Sequence, residues 1–282
     1  MTTNELITVI TPCRNAIAYI EQCIASVAAH GDLVAEHIVF DAVSDDGTTA
    51  LLNAKAAEHP RLTVYTESDA GQSDALAKAL RLVKTPFFAW LNADDYFVLN
   101  GLRHLTEALD DAADHGDVAI VYGDYVNVDA DGQLLSLRKQ PSFSYWDCVH
   151  GYLTVLNAAA IFNTELARQS GGFDVSLQFA MDYDLVLKMG NAGQVRHVAK
   201  TIAAFRRHAD AKTTNLLDVY EKEIKQLRRK YSKLPAFLHP AGETLAKTRV
   251  IARMSAQGCL PCRLPYYNTK NVVFQPMCHN AS

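Results

Sequence analysis

Phe87-Phe88-Ala89-Trp90-Leu91-Asn92-Ala93-Asp94-Asp95-Tyr96 decides how the rest of this 282-residue chain is read. Five apolar residues in succession are the pattern of a strand covered on both faces, as in a parallel sheet. The strand runs straight into two adjacent carboxylates and an aromatic ring. In an open α/β sheet ligands bind beyond the carboxyl ends of the strands, so the pair stands where a site is expected. Neighbouring aspartates repel unless something positive lies close, and a divalent cation is the common answer. Alone, the ten residues also describe a solvated Asp-Asp turn closing a core strand. The segments on either side weigh against that.

Upstream, Leu6–Thr11 reads as a strand stopped by Pro12. Asn15 is placed to cap a helix carrying Ile17, Ile20, Ile24 and Val27 on one face and ended by Gly31. His37–Phe40 is a second strand closing on Asp41, and Ala42–Thr48 is a polar turn into a helix through about Ala57. Leu62–Tyr65 is a third strand, Asp69-Ala70-Gly71 a tight turn, and Gln72–Val83 a helix. Four strands alternating with helices predict an α/β sheet with right-handed crossovers.

Downstream come a helix over Leu102–Ala113 and a strand over Val118–Tyr122. Val126–Val128 and Gln133–Leu137 then flank Asp129-Ala130-Asp131-Gly132 as a hairpin. Residues 143–157 have the composition of a binding loop, where Tyr145, Trp146 and Tyr152 suit either stacking on a sugar or covering the sheet. A strand over Ala158–Phe162, a turn at Gly171–Asp174, a short helix over Met181–Met189 and a strand over Val195–Arg206 follow, the last delivering His208. Helices over Leu217–Tyr231 and Glu243–Ala256 form an appendage. The division expected is a main domain over residues 1–215 and a basic, mostly helical part over 216–282.

Hydrophobic content of 49% and charged content of 21% describe an ordinary soluble globular protein. No apolar run approaches the roughly 18 residues of a membrane span. The start of the chain has neither a basic stretch nor an apolar secretion segment, so a cytoplasmic setting is expected, with the inner face of the membrane within reach. The net charge of −4 hides an asymmetry. From Leu216 onward eleven Lys/Arg face four Asp/Glu, a balance of +7 that leaves −11 on the first 215 residues. An acidic body suits a metal-dependent site better than a nucleic-acid surface. The basic part suits peripheral contact with an anionic membrane or a phosphate-bearing acceptor, or is simply a solvated helical face. The six cysteines are scattered, and Cys259, Cys262 and Cys278 with His279 match no common zinc spacing, so free thiols are expected.

Asp41, Asp69 and the Asp94-Asp95 pair each follow a strand, and parallel strands bring such residues to one edge of the sheet. With these in view, the order and spacing of six motifs become recognisable. They are Ile7–Pro12, Asp41–Thr48, Glu67–Leu76, Leu91–Asp95, Gly171–Asp174 with Met181–Asp184, and Phe205–His208. The series resembles the family 2 glycosyltransferases of the GT-A fold, a Rossmann-like mixed sheet flanked by helices, over roughly residues 5–212.

The resemblance implies an inverting transferase that uses a nucleotide-diphosphate sugar, with UDP as the expected nucleotide, and Mn2+ or Mg2+. The acceptor would be a glycan or lipid-linked saccharide, as in polysaccharide biosynthesis. By the resemblance, Thr11 and Pro12 would border the nucleobase and Asp41 would accept from a uracil ring N–H. Asp69, Gly71, Gln72 and Asp74 would flank the same pocket. Asn92, Ala93 and Asp94 would face the donor, with Asp94, Asp95 and His208 as metal ligands. Asp182 falls where the family keeps its catalytic base.

Elementary chemistry agrees with these roles. A metal neutralises the charge developing on a leaving diphosphate, and such a cation needs only one or two protein carboxylates. An attacking hydroxyl must lose its proton to a base on the opposite side. The chain departs from the family pattern at Asn92, where an aspartate is common, at Ala77-Lys78-Ala79, and at Met181, where many relatives have an acidic residue. A catalytically silent nucleotide-sugar binder is the rival reading, which the intact Asp94, Asp95 and Asp182 oppose. A sugar nucleotidyltransferase would need a glycine-rich loop after the first strand, and Thr11–Asn15 has no glycine.

Overall fold

The computed structural model describes residues 6–110, 117–209 and 217–259. Strands β1 (Ile7–Cys13), β2 (Val34–Asp41), β3 (Leu62–Thr66) and β4 (Phe87–Trp90) run parallel. Helices α1 (Ile20–Ala28), α2 (Thr48–Glu58) and α3 (Gln72–Leu82) connect them. Alternation along β4 explains why its whole apolar run is buried. Phe87 and Ala89 join Ile7, Val9 and the residues of α1 on one face; Phe88 and Trp90 join Ile10, Ile38 and the residues of α3 on the other.

The rest of the sheet is mixed. β5 (Tyr96–Phe97) and α4 (Gly101–Asp110) follow β4. β6 (Val118–Val128), β7 (Leu134–Arg138), β8 (Ala160–Asn163) and β9 (Gln194–Arg206) complete the strands. Among the described residues the order is β3-β2-β1-β4-β8-β6-β9-β5, with β7 paired to β6. β8 is antiparallel to both β4 and β6, and β9 is parallel to β6. A β-carbon at Gly101 would lie 2.2 Å from the Ile202 carbonyl oxygen, and one at Gly123 would lie 2.5 Å from the Ile202 side chain. Glycine at both positions lets α4 and β6 close onto β9.

Register fixes where the loops emerge. Asp41 lies opposite Cys13 and Thr66, and Trp90 lies opposite Ile10. The segments after β1, β2, β3 and β4 therefore share one edge.

Several expectations change. Asn15 does not cap α1, which begins at Ile20 without a side-chain cap. Instead Asn15 sits at φ 50°, its amide donating to Ser44 Oγ and its side-chain oxygen accepting from Asp45 N. A contact across 29 residues outweighs local capping. Ile17 precedes the helix and is exposed. The strand expected to end at Tyr122 continues without a break to Val128. The 143–157 segment contains a short helix, α5 (Tyr145–Val149), capped by Ser144. A further helix, α6 (Thr164–Gln169), is capped by Asn163. Ala113, Cys262, Cys278 and His279 lie outside the described residues; Cys259 is buried and free.

After α7 (Met181–Ala192) and β9, α8 (Leu217–Tyr231) and α9 (His239–Ala256) pack back on the body. Ile224 and Leu227 of α8 join the cluster that contains Trp90, Phe173 and Tyr183. Much of the positive charge of this part meets carboxylates. Arg249 and Arg253 approach buried Asp147 at 3.0 and 2.6 Å, and Lys230 lies 3.5 Å from buried Asp184. Arg249 also covers Trp146, and Tyr152 donates to Met254 Sδ, so these two rings anchor α9. Among the described residues no helix is long and apolar enough to cross a membrane.

Candidate active site

Beyond β4 the chain turns through a network that spends most of its polar atoms on itself. Asn92 Oδ1 accepts from Trp90 Nε1 and Gln72 Nε2, both at 2.9 Å, and Asn92 Nδ2 donates to Asp95 Oδ2 at 3.3 Å. Asparagine can make that donation and an aspartate cannot, which gives the departure at position 92 a physical reason. Asp95 Oδ1 accepts from the Arg206 backbone amide at 2.9 Å. Asp95 is buried, and desolvation, with the neighbouring Asp94 charge, pushes its carboxyl well above the usual range. The structure thus turns Asp95 inward as a connector between β4 and β9.

Arg206 completes the network. Its guanidinium donates to the carbonyls of Asp94, Asp129 and Ala130 and to the Gln22 side chain, and lies over the rings of Tyr19 and Tyr96. With the backbone so held, Asp94 projects at the edge, its side chain 30% exposed. His208 Nε2 meets Asp94 Oδ2 at 3.0 Å, and Tyr19 packs on the imidazole. The other ring nitrogen of His208, Nδ1, is buried without a hydrogen-bond partner.

Among the described residues no group of three or more His, Cys, Asp or Glu is arranged to hold a metal. One carboxylate and one imidazole together beyond the end of β4 do fit a cation whose remaining ligands come from phosphate oxygens. They do not make an all-protein cage.

The nucleotide side is also braced from within. Asp41 is fully buried, and its carboxylate accepts from the hydroxyls of Ser44 and Thr49 and from the Ser44 amide. Here it anchors the 42–49 loop, with no open face for a uracil N–H. Thr11 Oγ1 is paired with His37 Nε2 at 2.9 Å inside the sheet. Burial pushes that histidine down to about 3, so it stays neutral. Pro12 is half-buried at the end of β1, and Ala93 is buried. Asp69 accepts from Gly71 N, and Asp74 accepts from Ala70 N and meets Lys78, fixing the turn into α3. Gly71 holds φ 125°, a conformation that favours glycine.

Asp182 is reached through an aromatic contact. The Phe173 ring stands edge-on to Trp90 at 5.4 Å, and Ser73 of α3 donates to the Leu177 carbonyl. These contacts set the 173–180 segment beside the start of α3 and lead into α7, whose second residue is Asp182. The N-cap of α7, Ala180, has no side chain to offer. Glu223 of α8 does the work instead, accepting from the amides of Gln178, Phe179 and Ala180 at 2.8, 3.0 and 2.8 Å. A buried carboxylate at a helix N-terminus satisfies orphan amides and matches the helix dipole.

Asp182 Oδ1 accepts from the Tyr183 amide at 2.7 Å. Desolvation, reinforced by the Glu223 charge and opposed by that amide, raises its carboxyl to about 6. Asp184 faces away, fully buried against Lys188 and the Tyr231 hydroxyl.

The geometry therefore brings Asp94 to His208 and joins Gln72 to Asn92, while Asp41, Asp95 and Thr11 point into the fold. Sequence reasoning quoted Arg206 within a motif but gave it no role, and it passed over Trp90 and Glu223. The unsuitability of Ala180 as a cap was the available signal for Glu223.

Known proteins resemble this chain in sequence and fold. The family described as glycosyl transferase family 2 matches residues 8–166. Over 237 residues the chain is 26% identical to a chondroitin synthase of Escherichia coli, covering 81% of this chain and 33% of that protein. It is 24% identical over 219 residues to a hyaluronan synthase of Pasteurella multocida, covering 77% and 22%. The chain thus spans a third or less of the length of these two relatives. Residues 1–349 of TarS from S. aureus, solved in complex with UDP, superpose with a TM-score of 0.62 at 17% identity, covering 89% of this chain and 73% of that one. The mannosyltransferase PcManGT from Pyrobaculum calidifontis, in complex with GDP-Man and Mn2+, gives 0.59 at 18% identity, covering 92% and 76%. The fold is that of GT-A glycosyltransferases, and the chain belongs to glycosyl transferase family 2.

Proposed function

We propose that the chain is an inverting, metal-assisted hexosyltransferase that moves one sugar from a UDP-sugar to a hydroxyl of a glycan or lipid-linked saccharide. The observation that carries this reading is the contrast between Asp94, which touches His208, and Asp182, which has a carboxylate neighbour and a carboxyl raised to about 6. A base with such a value is mostly ionised at neutral pH and still accepts a proton readily. Asp182 would take the proton of the acceptor hydroxyl as its oxygen attacks the anomeric carbon. The bond to the diphosphate oxygen breaks on the opposite face, so configuration inverts in one displacement.

Mn2+ or Mg2+ held by Asp94 and His208 would neutralise charge developing on the departing diphosphate. Pro12, Asp69, Gly71 and Gln72 form the donor wall, and Arg206 keeps the 92–96 turn in place. The UDP complex of TarS supports a UDP donor, and the GDP-Man complex of PcManGT makes GDP-Man the necessary comparison. A cytoplasmic setting with peripheral membrane contact through α8 and α9 belongs to the same reading.

The test is a donor screen that follows release of nucleoside diphosphate with Mn2+, with Mg2+ and in chelator. Release of UDP from a UDP-sugar, lost in chelator, is the expected result. Turnover of GDP-Man alone overturns the nucleotide assignment. UDP binding without hydrolysis or transfer of any donor makes the protein a silent binder.

A further inference from the structure

We propose that α8, α9 and the end of α5 enclose a second anion site, which takes a phosphate or pyrophosphate group. A cavity of about 210 Å³ lies between them, lined among others by His150, Lys225, Arg228, Arg229, His239 and Glu243. That is below the roughly 300–1,000 Å³ of pockets for drug-sized ligands, which suits a small charged group more than a whole nucleotide.

The charge in this cavity is not balanced. Elsewhere Lys230 meets buried Asp184, and Arg249 and Arg253 meet buried Asp147. Here three permanent cations share one lining carboxylate, Glu243, already bonded to Arg228 Nη1. Lys225 has only an exposed pairing with Glu221 at 3.5 Å. Among the described residues Arg228 Nε is buried without an acceptor, a position that ordinarily costs stability unless a ligand or water supplies one.

The walls are shaped to admit these groups. A β-carbon at Gly151, which holds φ 121°, would lie 2.5 Å from Arg228 Nη2, and one at Gly242 would lie 2.9 Å from His150 Nδ1. His150 is held below the usual histidine range, first by burial and then by His239 and Arg228, with Asp147 and Glu243 opposing. Guanidinium and ammonium groups, with imidazole and the lining hydroxyl of Ser232, match a tetrahedral dianion.

The site bears on the acceptor. Arg228 lies five residues beyond Glu223 on α8, about 7–8 Å along the helix axis, and Glu223 caps the helix of Asp182. An acceptor phosphate held here would lie on the Asp182 side of the molecule. That use rests on the transferase reading above; the binding of the anion does not.

The experiment titrates pyrophosphate into the full chain at low salt after metal removal and dialysis, followed by calorimetry. One binding event is expected. The Lys225→Gln/Arg229→Gln pair, both exposed side chains, is expected to weaken it by about tenfold or more while leaving UDP binding with Mn2+ unchanged. No heat up to about 10 mM pyrophosphate, or heat that survives the double change, overturns the site. Co-sedimentation with phosphatidate vesicles but not phosphatidylcholine vesicles, lost in the double variant, supports the site and names a lipid headgroup as source. Pyrophosphate binding without co-sedimentation supports it with a soluble phosphate as source. Pyrophosphate binding in a protein that turns over no donor keeps the site and removes only its link to an acceptor.

Discussion

Asp94 follows β4 and Asp182 opens α7, and the two are held by opposite means. Around Asp94 the turn is locked by Asn92, Asp95 and Arg206, and the His208 imidazole is its side-chain partner. Around Asp182 the support comes from Glu223, 43 residues beyond the Ala180 amide it accepts from, and it is another carboxylate. The contrast fits the duties proposed for the two. A carboxylate given an imidazole suits cation and phosphate work, while one kept near a negative charge and partly desolvated keeps its affinity for a proton.

The largest expected effect breaks the acceptor side alone. Asp182→Asn should lower turnover by about two to four orders of magnitude, with UDP affinity nearly unchanged by calorimetry. Normal turnover in that variant, beside a dead but folded Asp184→Asn, would reverse the assignment. On the donor side, Asp94→Ala should abolish the response to Mn2+ and lower donor hydrolysis by about two to three orders of magnitude. Full activity in that variant or in chelator would remove the metal from the comparison.

The pH dependence sharpens it further. Transfer should rise with pH through a limb near 6, the value to which Asp182 is raised. Glu223→Gln keeps an acceptor for the α7 amides but removes the charge, so the limb should fall by about half a unit. An unmoved limb would mean that the two carboxylates act independently.

Stability carries the same signature with opposite sign. Because its native value is raised, the Asp182 carboxyl favours the folded state fully below its unfolded value, and that contribution is lost as pH rises through about 6. Asp182→Asn should therefore stabilise the fold by about 1–2 kcal/mol at pH 8, read as a higher melting temperature, and leave it nearly unchanged near pH 4. Equal melting curves at pH 8 would show that desolvation is relieved by solvent. Smallest is Ser44→Ala. If uracil must displace the Ser44 hydroxyl to reach Asp41, UDP should bind as tightly or a few-fold more tightly, by calorimetry. Weaker binding would make Ser44 itself the contact.

Much of the donor edge was legible because its residues follow strand ends in short motifs. The direction of each side chain was not. Asp94 and Asp95 are adjacent and alike, yet the amide of Arg206 draws only Asp95 inward. Arg206 and Arg207 read as equals, and only β9 pairing buries the first and leaves the second exposed. The long β6 was read as two pieces because Gly123-Asp124-Tyr125 interrupts the apolar pattern. Asp124 is tolerated there because His197 lies 3.0 Å away and Gln140 donates its amide. Glu223 was one acidic residue on a charged helix, and nothing local marks the partner it finds.

The capping of α7 by α8 also sets an order of assembly during synthesis. Chains fold from the N-terminus as they emerge. The strand ends, Asp94, Arg206 and His208 are all made before Glu223. Until α8 arrives, the amides of residues 178–180 lack their acceptor and the helix of Asp182 lacks its cap. A growing chain would therefore complete the Asp94 edge first and set the proposed proton acceptor only once α8 arrives.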